Sequence, residues 1–301
     1  MTEVTAAPAR AVIDLAAPYL ADWTPRSQGR RGTCTAFAVV AAEELYHARQ
    51  SGTQSIVPLS EEFLYQRMRL EQFLPELGLE QEVLDYLKET GATFLDQARQ
   101  VLQEEGLCRR ALIPYRSHPL LPSDYTVDLD AETETAALQD AASRKAVFEH
   151  NVWANPDGLG KEKPWDDDIG SQTVSEIFRA QLAVGLPVVA SVMIVRGSLL
   201  NGWDGVHAIR CGKVLYPSQD ALYDRTPVDG HAVCITGYIP SQDNPARGWF
   251  MFKNSRGQQF ATHLERGCPL DHPRAPAVGY GIISTRTIDT YCWEYMYRAS
   301  E

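Results

Sequence analysis

Basic residues are the first shortage in this 301-residue chain: 28 Lys and Arg stand against 39 Asp and Glu, a net charge of −11. A nucleic-acid partner is not expected, because neutralising phosphates takes a basic face. No uninterrupted apolar run is long enough to cross a bilayer, so no membrane partner is expected either. The opening residues Met1-Thr2-Glu3-Val4 have no basic segment followed by a continuous apolar one, and do not read as a secretory signal. Cysteines are few and scattered: Cys34, Cys108, Cys211, Cys234, Cys268 and Cys292 include no CxxC pair. Reduced thiols in a cytoplasmic, reducing compartment are therefore expected, rather than a disulfide framework. Delivery elsewhere by a signal-free route stays open. His263, Cys268 and His272 cluster in a loop but fit no zinc spacing, and neither a metal nor another cofactor is expected. The acidic run Asp166-Asp167-Asp168 reads as a solvated surface. There is no internal repeat.

What is present is ordinary globular composition, 44% hydrophobic and 22% charged, at a length for one large domain or two lobes sharing a cleft. Residues 1 to 11 read as a loose arm, and Val12 to Leu15 as a short strand. From Cys34 to Gln50 there is no Pro or Gly, and Phe37, Val40, Ala41, Leu45 and Ala48 recur at three- and four-residue steps. That spacing predicts an amphipathic helix, with Gly52 as its stop. Ser60 caps a second helix whose first turn holds Glu61 and Glu62. Residues 80–89 and 95–105 read as further helices, closed by Gly91 and Gly106. Ile113 to Tyr115 and Pro119 to Pro122 are turn-rich, residues 131–147 read as a helix and 151–171 as a surface loop. The pattern then changes: a helix over 174–184 is followed by strands at 187–195, 232–238, 248–253 and 280–284. His207 and Cys211 read as loop and core residues. A helical half precedes a mainly β half, with a cleft expected between them.

The chemistry centres on Cys34. The turn Ser27-Gln28-Gly29-Arg30-Arg31-Gly32-Thr33 delivers it to the start of a helix, where backbone N–H groups and the helix dipole favour a thiolate. The β half supplies His231 at the mouth of one strand and Asn254 at the end of the next. An imidazole can share the thiol proton while an amide oxygen fixes the ring's tautomer. Gln28, six positions before Cys34, can aim its amide N–H at an oxyanion together with the Cys34 N–H.

The order Gln28-Gly29, Cys34, Ala36-Phe37, then Gly230-His231-Ala232-Val233 and Lys253-Asn254-Ser255, resembles the papain-like cysteine proteases. Leu59-Ser60-Glu61-Glu62 and the stretch from Gly279-Tyr280-Gly281 to Tyr291 are similar to further segments of that family, the latter in bacterial members. The resemblance covers residues from about 12 to 298. It implies an α+β, two-lobe fold: a helical N-terminal lobe and an antiparallel, barrel-like C-terminal lobe, with the active-site cleft between them. Within a peptidase domain over 12–301, the helical lobe would take 12–114, an insertion or crossover 115–172, and the β lobe 173–301. It further implies a thiol endopeptidase with Cys34 as nucleophile, His231 as acid and base, Asn254 orienting it and Gln28 at the oxyanion. Protein or peptide would be the substrate. Asp229 and Gly230 would line its pocket, the glycine leaving it open and Asp229 favouring a basic side chain.

The departures from the family pattern carry their own expectations. Arg31 stands where the family has a half-cystine, and Thr35 where it has an aromatic residue. Arg256 replaces the tryptophan that covers the His–Asn hydrogen bond, and would either stack over that bond less effectively or greet an acidic substrate group. The chain begins almost where the family's mature domain begins, leaving no room for an inhibitory propeptide. Restraint is expected from residues 115–172 or from a regulatory protein partner. Arg30 and Arg31, if turned inward, would lower the Cys34 pKa. Two other readings stay open: a catalytically weak or inactive papain-fold binding module, and acyl transfer or deamidation by the same residues.

Overall fold

The computed structural model describes residues 11–73, 91–117, 129–152, 173–195, 203, 205–214, 227–244, 246–262 and 275–299. The arm to residue 10, the helix expected over 80–89, Pro119 to Pro122, the acidic run 166–168 and the His263, Cys268 and His272 cluster lie outside them.

The N-terminal part is helical. Helix α1 spans Cys34–Ser51 and ends at Gly52, whose left-handed φ of 63° suits a residue without a Cβ. Helix α2 spans Glu61–Met68; Ser60 caps it by accepting from the Phe63 N–H at 3.0 Å. Helix α3 spans Leu95–Glu104. Helix α1 departs from the amphipathic expectation, because every residue from Thr35 to Leu45 is buried. It packs on α2 and α3 on one side and on the sheet on the other, so no face of this stretch is left for solvent.

The sheet is built from β1 (Ile13–Asp14), β2 (Phe148–Val152), β3 (Val188–Val195), β4 (Lys213–Val214), β5 (Pro227–Pro240), β6 (Gly248–Lys253), β7 (Tyr280–Ser284) and β8 (Cys292–Arg298). Its order is β2-β8-β3-β5-β6-β7-β4, with β1 on β5. The sheet is open, not a closed barrel, and its one parallel pair among the described strands is β4 with β7. Strand β5 is the hub: it pairs β3 with His231 opposite Val192, and β6 with Cys234 opposite Lys253. The remaining helices are α4 (Ala131–Ala141), α5 (Val174–Ala183), α6 (Val206–Cys211) and α7 (Thr285–Tyr291). A capping box of Thr173 and Glu176 starts α5.

Three expectations are corrected here. The helix expected to Val147 stops at Ala141, and after one short 3-10 turn the chain becomes β2, which pairs along β8 and takes Asn151 and Val152 out of the expected loop. His207 sits on α6, not in a loop. Cys211, buried as expected, is disulfide-bonded, while Cys34, Cys108, Cys234 and Cys292 are free. That bond removes the thiol argument for a reducing compartment. No helix among the described residues is long and apolar enough to cross a membrane.

Candidate active site

The turn before α1 is held from several directions. Gly29 adopts a φ of +64°, and a Cβ there would sit 2.8 Å from the Ser117 carbonyl oxygen, so only glycine fits. The Gln28 N–H donates to the Ser255 carbonyl at 2.8 Å, and Tyr115 donates its hydroxyl to the Gln28 carbonyl at 2.7 Å. The Gln28 side chain is fixed at both ends: Nε2 donates to the Arg31 carbonyl at 2.8 Å and Oε1 accepts from the Ser255 hydroxyl. An amide nitrogen carries two hydrogens, so one N–H of Gln28 remains for the cleft.

Arg31 explains how this turn is held without a disulfide. Its guanidinium makes a forked pair with Glu62 at 2.6 and 3.0 Å, donates to the Arg116 carbonyl at 2.8 Å, and lies 5.1 Å from the ring centres of both Tyr65 and Tyr115. The bidentate geometry is one that arginine provides and lysine does not. Arg31 therefore spends its charge on α2 and not on the thiol.

Cys34 is half-buried at the first position of α1. Burial pushes its thiol pKa up; the Ala232 N–H pulls it down, Asp229 pushes it up again, and the Thr35 N–H and hydroxyl pull it down. The expected lowering by Arg30 and Arg31 is thus replaced by a net rise. The influence of the Ala232 N–H on the thiol places the peptide joining His231 to Ala232 near Cys34. Thr35, in the place of the expected aromatic, is buried and donates to the Thr93 carbonyl at 2.9 Å, tying α1 to the segment that leads into α3.

His231 and Asn254 form a bonded pair, both buried, with Nε2 to Oδ1 at 2.8 Å. The Ser255 N–H also donates to Asn254 Oδ1 at 2.8 Å. The atom accepting from a backbone N–H must be the amide oxygen, which fixes the amide's orientation. An oxygen cannot donate, so the His231 Nε2 carries the proton and Nδ1 is the basic nitrogen of the neutral ring.

Cys34, Gln28 and His231 line one cleft of about 1120 Å³, and Asp229, Gly230 and Arg256 line it too. Asn254 stands behind the imidazole and does not reach the cleft surface. Phe94 and Trp293, ring centres 5.5 Å apart, also line the cleft, and the Trp293 indole nitrogen would lie 3.7 Å from a Cβ on Gly230. A half-buried thiol, a base with a fixed tautomer and an amide donor facing one groove can carry out acyl transfer through a thioester.

Two features escaped the sequence. Glu44, in mid-helix, is buried and accepts from Trp23 Nε1 at 2.8 Å, from Arg26 at 2.7 Å and from the Leu59 N–H at 2.8 Å. Trp203 packs on the His231 ring, centroids 4.9 Å apart. The one signal for it is a tryptophan between Gly202 and Gly205, where a solvent turn has no need of an indole.

No family model and no curated protein sequence matches the chain. Solved structures do. Xylellain, a cysteine protease from Xylella fastidiosa, is similar with a TM-score of 0.61 at 18% identity, over 98% of this chain and 87% of that one. Digestive procathepsin L 3 of the Tenebrio molitor larval midgut gives 0.57 at 14%, over 100% and 73%. The Carica candamarcensis cysteine protease CMS1MS2, in complex with E-64, gives 0.55 at 18%, over 98% and 100%. The chain thus has the α+β fold of the papain-like cysteine proteases.

Proposed function

We propose that this chain is a cysteine-type endopeptidase that cleaves protein or peptide substrates through a thioester on Cys34. The observation that carries the reading is the fixed tautomer of His231, held by an Asn254 amide whose own orientation the Ser255 N–H sets. Burial raises the Cys34 thiol pKa, and passing its proton to the basic Nδ1 of His231 makes the nucleophile.

The Cys34 sulfur then bonds to the scissile carbonyl carbon. The carbonyl oxygen becomes an oxyanion and is met by the Cys34 N–H and the second N–H of Gln28. As the carbon–nitrogen bond breaks, the imidazolium gives its proton to the leaving amine. Water, deprotonated by His231, attacks the thioester, the carbon–sulfur bond breaks, and the acid product leaves with Cys34 restored. Asp229 on the cleft favours a basic substrate side chain, and Arg256 an acidic one.

The test is covalent labelling by an epoxysuccinyl probe, followed by mass spectrometry of the modified peptide. One probe adduct on the peptide containing Cys34 is expected, and none in Cys34→Ala. Labelling that survives in Cys34→Ala would assign the nucleophile elsewhere.

A further inference from the structure

The family pattern places a tryptophan directly after Asn-Ser, and here that residue is Arg256. Arg256 is partly exposed, and its backbone bridges Ser27 on the turn before α1. The indole beside the imidazole comes from another part of the chain. Trp203, between β3 and α6, is only 2% exposed and meets the His231 ring edge-to-face, centroids 4.9 Å apart and planes at 73°. Phe252 of β6 backs it at 5.7 Å, and Phe260 backs Phe252 at 6.1 Å.

We propose that Trp203 is a positioning residue for His231: it closes the His231–Asn254 hydrogen bond against water and stabilises the imidazolium. The proposal rests on the cysteine-peptidase reading of the same site. Two physical effects act in one direction. A hydrogen bond kept from water is electrostatically stronger, and competing water would otherwise let the ring turn away from Asn254. A cation over the face of an indole within ~6 Å of its centre is attracted by the π system, and a His231 ring so placed is favoured protonated over neutral. The edge-to-face arrangement is one that aromatic quadrupoles prefer.

The test compares Trp203→Phe with Trp203→Ala. Three quantities are read: the pH dependence of Cys34 alkylation by iodoacetamide, solvent exchange of the His231 Nε2 proton by NMR, and peptide turnover. Trp203→Phe is expected to stay close to the parent. In Trp203→Ala the low-pH limb of alkylation moves to higher pH, because the thiolate loses a stable imidazolium partner, and the Nε2 proton exchanges faster. Turnover falls about 10- to 100-fold through kcat with KM little changed, the range found when a partner that orients a functional histidine is removed. Parent-like alkylation and proton exchange in a folded Trp203→Ala would overturn the proposal. Should the alanine variant not fold, Trp203→Leu keeps the bulk without the π system: an alkylation profile identical to that of the phenylalanine variant would overturn the stabilisation of the imidazolium, and an Nε2 proton that exchanges faster than in the parent in both would overturn the shielding. A parent protein that neither labels nor cleaves overturns the peptidase reading instead, and proton exchange then still decides whether Trp203 shields His231.

Discussion

Arg31 and Glu62 replace a covalent link by a buried ion pair, with side chains 4% and 1% exposed. Glu62 also accepts from Gln66 Nε2 and the Arg116 N–H, both at 3.1 Å, so its carboxylate is well supplied only while the pair is intact. Removing the arginine leaves a buried carboxylate uncompensated. Arg31→Met should therefore destabilise the fold by about 3–5 kcal/mol in urea unfolding, and Arg31→Met with Glu62→Leu should recover much of that loss. A single variant as stable as the parent would mean the pair does not hold the turn. At this scale the site was legible where local chemistry names the residue. Gln28 before a glycine turn, Cys34 at a helix start, and His231 and Asn254 at strand ends each carry their signal in their neighbours. Glu44, Glu61 and Glu62 carried none of their burial, because a carboxylate on a helix reads as solvent-facing until the arginine that meets it is placed. Trp203 was silent for the same reason: its meaning lies in a ring from another strand.

Ser60 works twice for α2. Its hydroxyl accepts from the Phe63 N–H and donates to the Ile113 carbonyl at 2.6 Å, and the residue is fully buried. Ser60→Ala should cost about 1–2 kcal/mol by chemical denaturation, toward the upper end for a cap because the Ile113 carbonyl also loses its donor. A shift within a few tenths would show that neither bond matters to stability. Elements with punctuation were read closely: Ser60 at the start of α2, Gly52 at the end of α1, and the apolar runs of β3, β6 and β7. Strand β2 was missed because Phe148-Glu149-His150-Asn151-Val152 has the composition of a loop, and it is a strand only because β8 offers it an edge. Residues 115–172, expected to restrain activity, are anchored in their described parts by Tyr115 on the turn before α1 and by β2 on β8.

At the scale of the molecule, Lys253 joins the N-terminal segment to the sheet. Its ammonium donates to the Trp23 carbonyl at 3.0 Å, the Tyr280 hydroxyl at 3.2 Å and the Thr24 carbonyl at 3.5 Å, and lies 4.2 and 4.8 Å from the Trp23 and Tyr280 ring centres. Burial lowers its pKa to about 7; Glu44 raises it and Arg26 lowers it further. A lysine whose folded pKa is depressed binds fewer protons folded than unfolded between that value and its ordinary 10.5, so its contribution to stability rises with pH across that window. Tyr280 and Cys234, both raised by burial, act in the opposite sense at more alkaline pH. The clean interval is thus about pH 7 to 9. There the stability of the parent relative to Lys253→Met should rise, as read by urea midpoints, and a flat difference would show that Lys253 does not titrate in the fold.

Helix α1 was described as buried throughout from Thr35 to Leu45, and its packing against β5 belongs to one continuous core. The residue at the head of that helix and the histidine on that strand are consequently parts of the same solid interior, although the chain delivers them from opposite ends. Thermal agitation at the rim of the groove can alter what enters it without separating them. They lose their alignment in an all-or-none event, when the interior itself comes apart.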